Sequence, residues 1–328
     1  MSPLVFALDA VMPIMLTVAI GYLLKRIGLM KEDFTKQANK LVFRVFLPVM
    51  LFLNIYKIEN LANIDFTYVI YAVATVLAIT AIAIPLIILF TDNKTRRGVI
   101  LQAAFRSNYA LIGIPLATSL YGEEGAVVAT VLSAVIIPTF NILAVITLSI
   151  FSDKNEKIDA KKILLGIVKN PLIQGVVLGL CGLGIRAILV ELGVSFRLTD
   201  VTAVYTVLGY LSSLATPLAL LVLGAQFEFS AVLELKREII FGTVLRTVAV
   251  LLIGLGVAYL FFRDIFTGAH FATFVAVFST PIAVSSVPMA QEMDGDVTLA
   301  GQLVIFTTLA SAVTIFLASF LLRTAGIF

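Results

Sequence analysis

The chain has 328 residues, of which 60% are hydrophobic and 13% are charged, and its formal net charge at pH 7 is +3. A soluble domain is typically about half apolar and about a quarter charged, so this composition excludes a soluble protein and predicts an all-α polytopic membrane protein. With one Cys and one His, neither an intrachain disulfide nor a metal centre is expected. The sequence lacks phosphate-binding glycine loops and hydrolase motifs, so we predict no ATP-driven pump, no enzyme and no cofactor.

About 20 apolar residues are needed to cross a bilayer core that is about 30 Å thick. On that scale the sequence predicts ten transmembrane helices. No Lys or Arg precedes the first apolar run, so we expect it to remain as a span rather than to be cleaved as a signal peptide. The predicted spans are 5–24, 37–56, 67–90, 98–120, 125–151, 164–185, 203–226, 239–261, 268–290 and 297–321.

Most of the 23 Lys and Arg residues fall in the loops that follow spans one, three, five and seven. Cytoplasmic loops carry an excess of basic residues, so we predict a multi-pass protein of the plasma membrane with both termini outside. The most polar loop lies midway along the chain. We therefore predict one membrane domain made of a first five-helix repeat, a short cytoplasmic linker and a second five-helix repeat: 1–151, 152–162 and 163–328.

The two halves share the spacing of several residues that interrupt helices. A shift of 173 positions between spans four and nine aligns Phe105 with Phe278, Ser107 with Thr280, Ala110 with Ala283, Pro115 with Pro288 and Gly122 with Gly295. An odd number of spans per repeat makes the second copy enter the membrane upside down. Inverted repeats with matching Gly/Pro interruptions are typical of secondary transporters. We therefore predict that spans four and nine are broken helices that cross near the bilayer midplane, at Asn108, Pro115, Pro281 and Pro288.

Arg106 is the most informative side chain in these two spans. A charge near the bilayer centre usually faces a cavity or a partner, and guanidinium pairs well with carboxylate, so an anionic substrate is one interpretation. A structural salt bridge or a contact to unpaired carbonyls is the other. Pro281 and Pro288 should free backbone groups in span nine, unless they only kink the helix. The predicted substrate-binding residues are Arg106, Ser107, Asn108, Tyr109, Pro281, Ser285 and Ser286.

Other polar residues within the spans are expected to be structural. We expect Arg246 to extend to the cytoplasmic interface. The carboxylates, Glu292 included, lie at or near predicted span ends, which argues against a buried proton relay. Five amide side chains are expected to join helices by hydrogen bonds: Asn54, Gln102, Asn141, Gln226 and Gln302.

Segments 107–116 with Tyr121-Gly122, 281–292 with its continuation to Ser311, and Asn39 with Phe46-Leu47-Pro48 resemble the auxin efflux carrier (PIN-like) permeases, in particular their prokaryotic members. The resemblance covers essentially the whole chain. It implies a scaffold and a transport domain, an elevator-type motion, and a substrate carboxylate held by Asn108 and the backbone beside Pro281. It also implies a small organic anion as substrate, such as malate, malonate or an auxin-like acid. Arg106 has no counterpart in the family pattern, so its role rests on physical argument alone.

Two other functions stay open at this point. A sodium-coupled symporter of the related bile-acid type would hold a cation with Ser107, Asn108, Thr130 and Ser133, so coupling to Na⁺ or H⁺ is not decided. The second alternative is a non-transporting membrane sensor, which is disfavoured because the sequence shows no soluble domain to carry a signal. The expected partners are the anion and the lipid bilayer but no nucleic acid, and a homodimer is left open.

Overall fold

The computed structural model describes residues 3–58, 66–152 and 160–328. In this part of the chain the one β-type contact is an isolated antiparallel bridge between Ser107 and Ile282. The helices are α1 (Pro3–Arg26), α2 (Glu32–Leu41), α3 (Leu47–Tyr56), α4 (Phe66–Phe90), α5 (Lys94–Phe105), α6 (Ile114–Ile150), α7 (Ala160–Lys169), α8 (Pro171–Glu191), α9 (Thr202–Gln226), α10 (Phe229–Glu234), α11 (Lys236–Val244), α12 (Val250–Phe262), α13 (Gly268–Phe278), α14 (Ser286–Glu292) and α15 (Val297–Thr324). Short π-helical turns cover Val42–Phe46, Tyr109–Gly113 and Leu245–Ala249, and a 3₁₀ turn covers Leu198–Asp200.

Seven helical segments of the described residues are long and apolar enough to cross a membrane, and α13 is a shorter apolar helix. The predicted all-helical membrane architecture is therefore confirmed at this level. The count of ten spans and the inverted repeats remain predictions. The seven segments are Glu32–Tyr56, Phe66–Phe90, Tyr109–Ile150, Pro171–Glu191, Thr202–Gln226, Lys236–Phe262 and Val297–Thr324.

The predicted sixth span, 164–185, begins too early. α7 ends at Lys169, and the membrane-length helix α8 begins at Pro171. The Asn170 side chain caps α8 by accepting a hydrogen bond from the Leu172 N–H at 2.9 Å, and proline is well suited to a first helical position because it needs no N–H partner there. The helix start is thus encoded locally. Most of the predicted linker 152–162 lies outside the described residues.

The 42-residue segment Tyr109–Ile150 is interrupted at Tyr121 and Gly122. Gly122 has φ +63° and ψ −149°, a backbone conformation open essentially to glycine alone. A methyl group added at Gly125 would overlap the Ala117 carbonyl oxygen, so the chain bends sharply between the two arms of α6. This bend falls between predicted spans four and five.

The helices pack as two groups. In the support bundle α1 and α2 pack against α9, and α3 packs against α8 and α9. The crossing bundle contains α4–α6 and α11–α15, with α13 against α6, α4 against α5 and α11 against α15. Glycine allows close helix contact in the support bundle, because a methyl group at Gly224 would overlap the Val18 carbonyl oxygen and one at Gly175 would overlap that of Pro48.

Candidate functional site

The predicted break in span four is present. α5 ends at Phe105, and Arg106 follows in an extended conformation with φ −88° and ψ 108°. Helical structure resumes only at Tyr109, and α6 begins just before Pro115, which has no N–H to give to the preceding turn. Residues 106–108 therefore form a short non-helical segment inside the crossing bundle.

The break in span nine is longer. α13 ends at Phe278 and α14 begins at Ser286. Pro281 lies between them and cannot donate to the Val277 carbonyl, four residues earlier, so the helical hydrogen-bond ladder lapses there. The Ile282 N–H instead donates to the Thr307 hydroxyl at 3.2 Å.

The two breaks meet each other in a short antiparallel contact. The Asn108 N–H donates to the Pro281 carbonyl oxygen at 2.8 Å, and the Ser107 and Thr280 hydroxyl oxygens lie 2.6 Å apart. Both residue pairs are separated by 173 positions, the shift that aligns the two halves of the sequence. Main-chain groups that the breaks release are thus used to join one broken helix to the other.

The Arg106 side chain is 3% exposed and bridges three elements by side-chain contacts. One terminal nitrogen donates to the Asn141 Oδ1 at 3.0 Å and to the Ser285 Oγ at 2.8 Å, while the other contacts the Met289 sulfur at 2.7 Å. The Arg106 Nε and the Asn108 Nδ2 are buried without an acceptor among the described residues. Two unfilled donors therefore lie on residues two positions apart in the same non-helical segment.

A cavity of about 860 Å³ lies between the crossing and the support bundle. Of its described lining residues, Arg106 alone carries a formal charge. The support bundle contributes a mainly apolar wall from α1, α3, α8 and α9, whose polar exceptions are Thr17, Asn54, Ser212, Ser213 and Thr216. The cavity thus pairs one cation with a mostly apolar surface.

Most of the predicted site residues line this cavity: Arg106, Ser107, Asn108, Tyr109, Pro115 and Ser285. The lining does not include Pro281, Ser286, Pro288, Thr130 or Ser133. The Tyr109 hydroxyl donates to the Ala129 carbonyl at 2.8 Å, and the Ser133 hydroxyl donates to the Thr130 carbonyl at 2.5 Å. Within the described residues no group of three or more His, Cys, Asp or Glu side chains could hold a metal.

Arg246 does not extend to an interface, so that expectation was wrong. Its side chain is 1% exposed, and it donates from Nε to the Thr280 carbonyl at 2.8 Å and from Nη2 to the Val277 carbonyl at 2.6 Å. The acceptors are main-chain carbonyls of the interrupted helix. The distribution of charged residues along the sequence does not reveal such contacts.

Asn141 joins two helical segments by a hydrogen bond, as expected, because its Oδ1 accepts from Arg106, and it also lines the cavity. Its polarity inside an apolar span was the available signal. Ser212, Ser213 and Thr216 also line the cavity, and no pattern in the sequence distinguishes them from other polar residues.

A second set of polar contacts joins the two bundles at one end of the molecule, here called the lysine-rich end, where Lys25, Lys36 and Lys40 line a cavity of about 720 Å³. The Gln291 Oε1 on α14 accepts from the Asn39 Nδ2 at 2.6 Å and from the Gln226 Nε2 at 3.2 Å. Beside it, Arg44 and Glu292 form an ion pair at 3.2 Å. We call these five residues the polar latch.

Comparisons with known proteins point to membrane transport. The family described as membrane transport protein matches residues 6–319. An uncharacterized transporter of Methanothermobacter thermautotrophicus is 24% identical over 331 residues, covering 94% of this chain and 95% of the relative. An uncharacterized transporter of Methanocaldococcus jannaschii is 27% identical over 224 residues, covering 66% of this chain and 68% of the relative. The family resemblance read from the two crossing segments is confirmed, and the chain belongs to the membrane transport protein (auxin efflux carrier) family of membrane transporters.

Proposed function

We propose that this chain is a secondary active transporter of a small organic anion, a carboxylate such as malate, malonate or an auxin-like acid. The observation that carries the proposal is Arg106, the one charged side chain among the described residues that line the cavity. Its guanidinium is held by neutral groups and not by a carboxylate. A ligand carboxylate would satisfy this charge and would also accept from the unfilled Arg106 Nε and Asn108 Nδ2 donors.

We further propose that ten helical segments cross the bilayer. α1 has 24 residues and adds one span to the seven. The segment Tyr109–Ile150 would be about 63 Å long as one straight helix, twice the bilayer core, so its bend at Gly122 divides it into two spans, the first completed by α5. The tenth is formed by α13 and α14 together. Asp294, with φ +58°, lies one position before Gly295, the residue that the shift of 173 aligns with Gly122, so a positive φ recurs next to the equivalent position and supports the inverted repeat.

The lysine-rich end is proposed to be cytoplasmic, which leaves both termini outside a plasma membrane. The cavity extends from the crossing toward the other end, because its lining includes Asn54 near the end of α3 and Ser212 in the first half of α9 but none of the latch residues. The polar latch closes the lysine-rich end by joining α14 to α2 and α9. The described conformation is thus interpreted as outward-open.

On the basis of this division we propose an elevator-type mechanism. The support bundle would serve as the scaffold, and the crossing bundle would move past it with the anion bound at Arg106 and Asn108. The latch contacts join scaffold to transport domain, so they must separate when the cavity opens to the cytoplasm. The glycine-mediated contacts of α1 with α9 and α3 with α8 lie within the scaffold and would be kept.

The sodium-coupled alternative is less well supported. Thr130 and Ser133, two of the four residues of that alternative, do not line the cavity. Proton coupling through the cavity is also weakly supported, because none of its described lining residues is a carboxylate.

The proposal is tested with purified protein in proteoliposomes and a panel of labelled mono- and dicarboxylates, each with and without sodium or a pH gradient. We expect uptake of at least one small carboxylate and no uptake of its neutral amide. Liposomes without protein provide the background. No carboxylate flux above that background in either direction would remove the transport proposal.

A further inference from the structure

Arg246 contacts the broken helix of the crossing but does not line the cavity, and it has no role in the proposed anion site. It is one of the largest fully buried side chains, and none of the described carboxylates forms an ion pair with it. A buried guanidinium without an anionic partner is costly unless fixed dipoles replace water around it. Its contacts therefore need an explanation beyond packing.

The partners of Arg246 are two carbonyls that the break in α13 leaves without helical donors. Pro281 has no N–H for the Val277 carbonyl, and Arg246 Nη2 donates to that oxygen at 2.6 Å. The Thr280 carbonyl lies beyond the end of α13 and receives the Arg246 Nε at 2.8 Å. A helix C-terminus carries partial negative charge, so one planar cation fills both hydrogen bonds and opposes the helix dipole.

These two carbonyls adjoin the atoms that form the crossing. Thr280 contacts Ser107 through its hydroxyl, and the next residue, Pro281, accepts from the Asn108 N–H. Arg246 itself does not line the cavity. It is therefore a positioning residue, which acts on the substrate site through the segment that it holds.

Unwound carbonyls and helix C-terminal ends at such breaks are where transporters with inverted repeats coordinate a coupling cation. We propose that Arg246 is a built-in counter-cation, which fills at the broken end of α13 the place that a coupling cation would take, so that the crossing forms and transport proceeds without sodium. The part about transport rests on the proposed function. The part about the crossing concerns folding alone.

The test uses purified Arg246→Ala, Arg246→Lys and wild type, with Arg263→Ala as the control because Arg263 is an exposed arginine. Thermal unfolding is followed with guanidinium, sodium or choline chloride at equal ionic strength. We expect the Tm of Arg246→Ala to fall by about 5 °C or more. About 10 mM guanidinium should restore at least half of that loss in a saturable way, because a ligand bound only by the folded state stabilises it. Wild type and Arg263→Ala should show no such gain.

Arg246→Lys keeps the charge but lacks the planar fork, so its Tm should lie between those of wild type and Arg246→Ala. If Arg246→Ala does not fold, Arg246→Lys is the variant in which the loss of the planar fork is measured. A lysine variant no more stable than alanine, or a folded alanine variant indifferent to guanidinium, would overturn the proposal.

Replacement of sodium by choline should change wild-type uptake by less than twofold, whereas strict sodium dependence would overturn the proposal. Failure of wild type to move any carboxylate would count against the proposed function only, since the thermal measurement needs no substrate.

Discussion

Two arginines are buried beside the crossing, at 3% exposure for Arg106 and 1% for Arg246, and neither forms an ion pair with a described carboxylate. Arg106 binds side chains, lines the cavity and keeps an unfilled donor. Arg246 binds main-chain carbonyls and lies outside the cavity lining. Side-chain partners can exchange for a ligand during a transport cycle, whereas carbonyls of a helix end are fixed. The two roles therefore differ by the kind of hydrogen-bond partner, side chain for Arg106 and main chain for Arg246, more than by burial.

The Arg106→Ala variant should separate the two roles, because it should affect uptake far more than stability. Arg106→Ala should lower carboxylate uptake by about 100-fold or more, because a charge-assisted contact to the substrate is lost. Its Tm should change by less than about 3 °C, a small effect compared with Arg246→Ala. Uptake is measured in proteoliposomes and Tm in detergent, with Arg263→Ala as the control. Wild-type uptake by Arg106→Ala would remove the anion-binding role.

Asn141→Leu tests whether Asn141 orients the Arg106 guanidinium. The Arg106 Nη2 would lose its 3.0 Å acceptor, so the guanidinium should be less well placed and KM should rise by about tenfold. Asn54→Leu is the matched control, because Asn54 lines the same cavity from α3. Equal effects of the two variants would show that cavity polarity, and not the orientation of Arg106, controls binding.

Gln291→Ala tests the polar latch. The Gln291 Oε1 accepts two hydrogen bonds, and each contributes about 1 kcal/mol to the stability of the closed lysine-rich end. Without them, that end should open more often. A cysteine placed at Leu223, in the second cavity, should then react with a soluble maleimide several-fold faster in a Cys181→Ser background. An unchanged labelling rate would contradict the proposed gate.

Glu292→Gln should have the smallest effect, less than twofold in uptake. The partner side chain, Arg44, is 57% exposed, and such surface ion pairs contribute about 0–1 kcal/mol. The measurement is uptake as a function of external pH for both proteins. If the variant lost a pH dependence that wild type has, Glu292 would be a proton carrier after all.

The crossing could be predicted from the sequence because its causes are local. Pro281 removes one helical hydrogen bond, polar residues 106–108 interrupt an apolar span, and Gly122 permits a bend that other residues resist. Arg106 could be selected as a candidate site residue because a cation near the bilayer midplane has a high free-energy cost. The start of α8 was also encoded locally by Asn170 and Pro171, yet the apolar run before them concealed it.

The remaining features depend on contacts distant in sequence. Asn141 meets Arg106 across 35 positions, and Arg246 reaches carbonyls 31 and 34 positions away. Gln291 joins Asn39 across 252 positions. Hydropathy and motif spacing report depth and local breaks, but they do not report which helix faces which. The main-chain partners of Arg246 could not be predicted for this reason.

The anion site at Arg106 is tested most directly by equilibrium binding. The affinities of one transported carboxylate and of its neutral amide are measured for purified wild type and for purified Arg106→Gln. We predict that wild type binds the carboxylate at least tenfold more tightly than the amide, and that Arg106→Gln binds both equally weakly. Equal affinity of wild type for carboxylate and amide, or unchanged carboxylate affinity in Arg106→Gln, would contradict an anion site at Arg106.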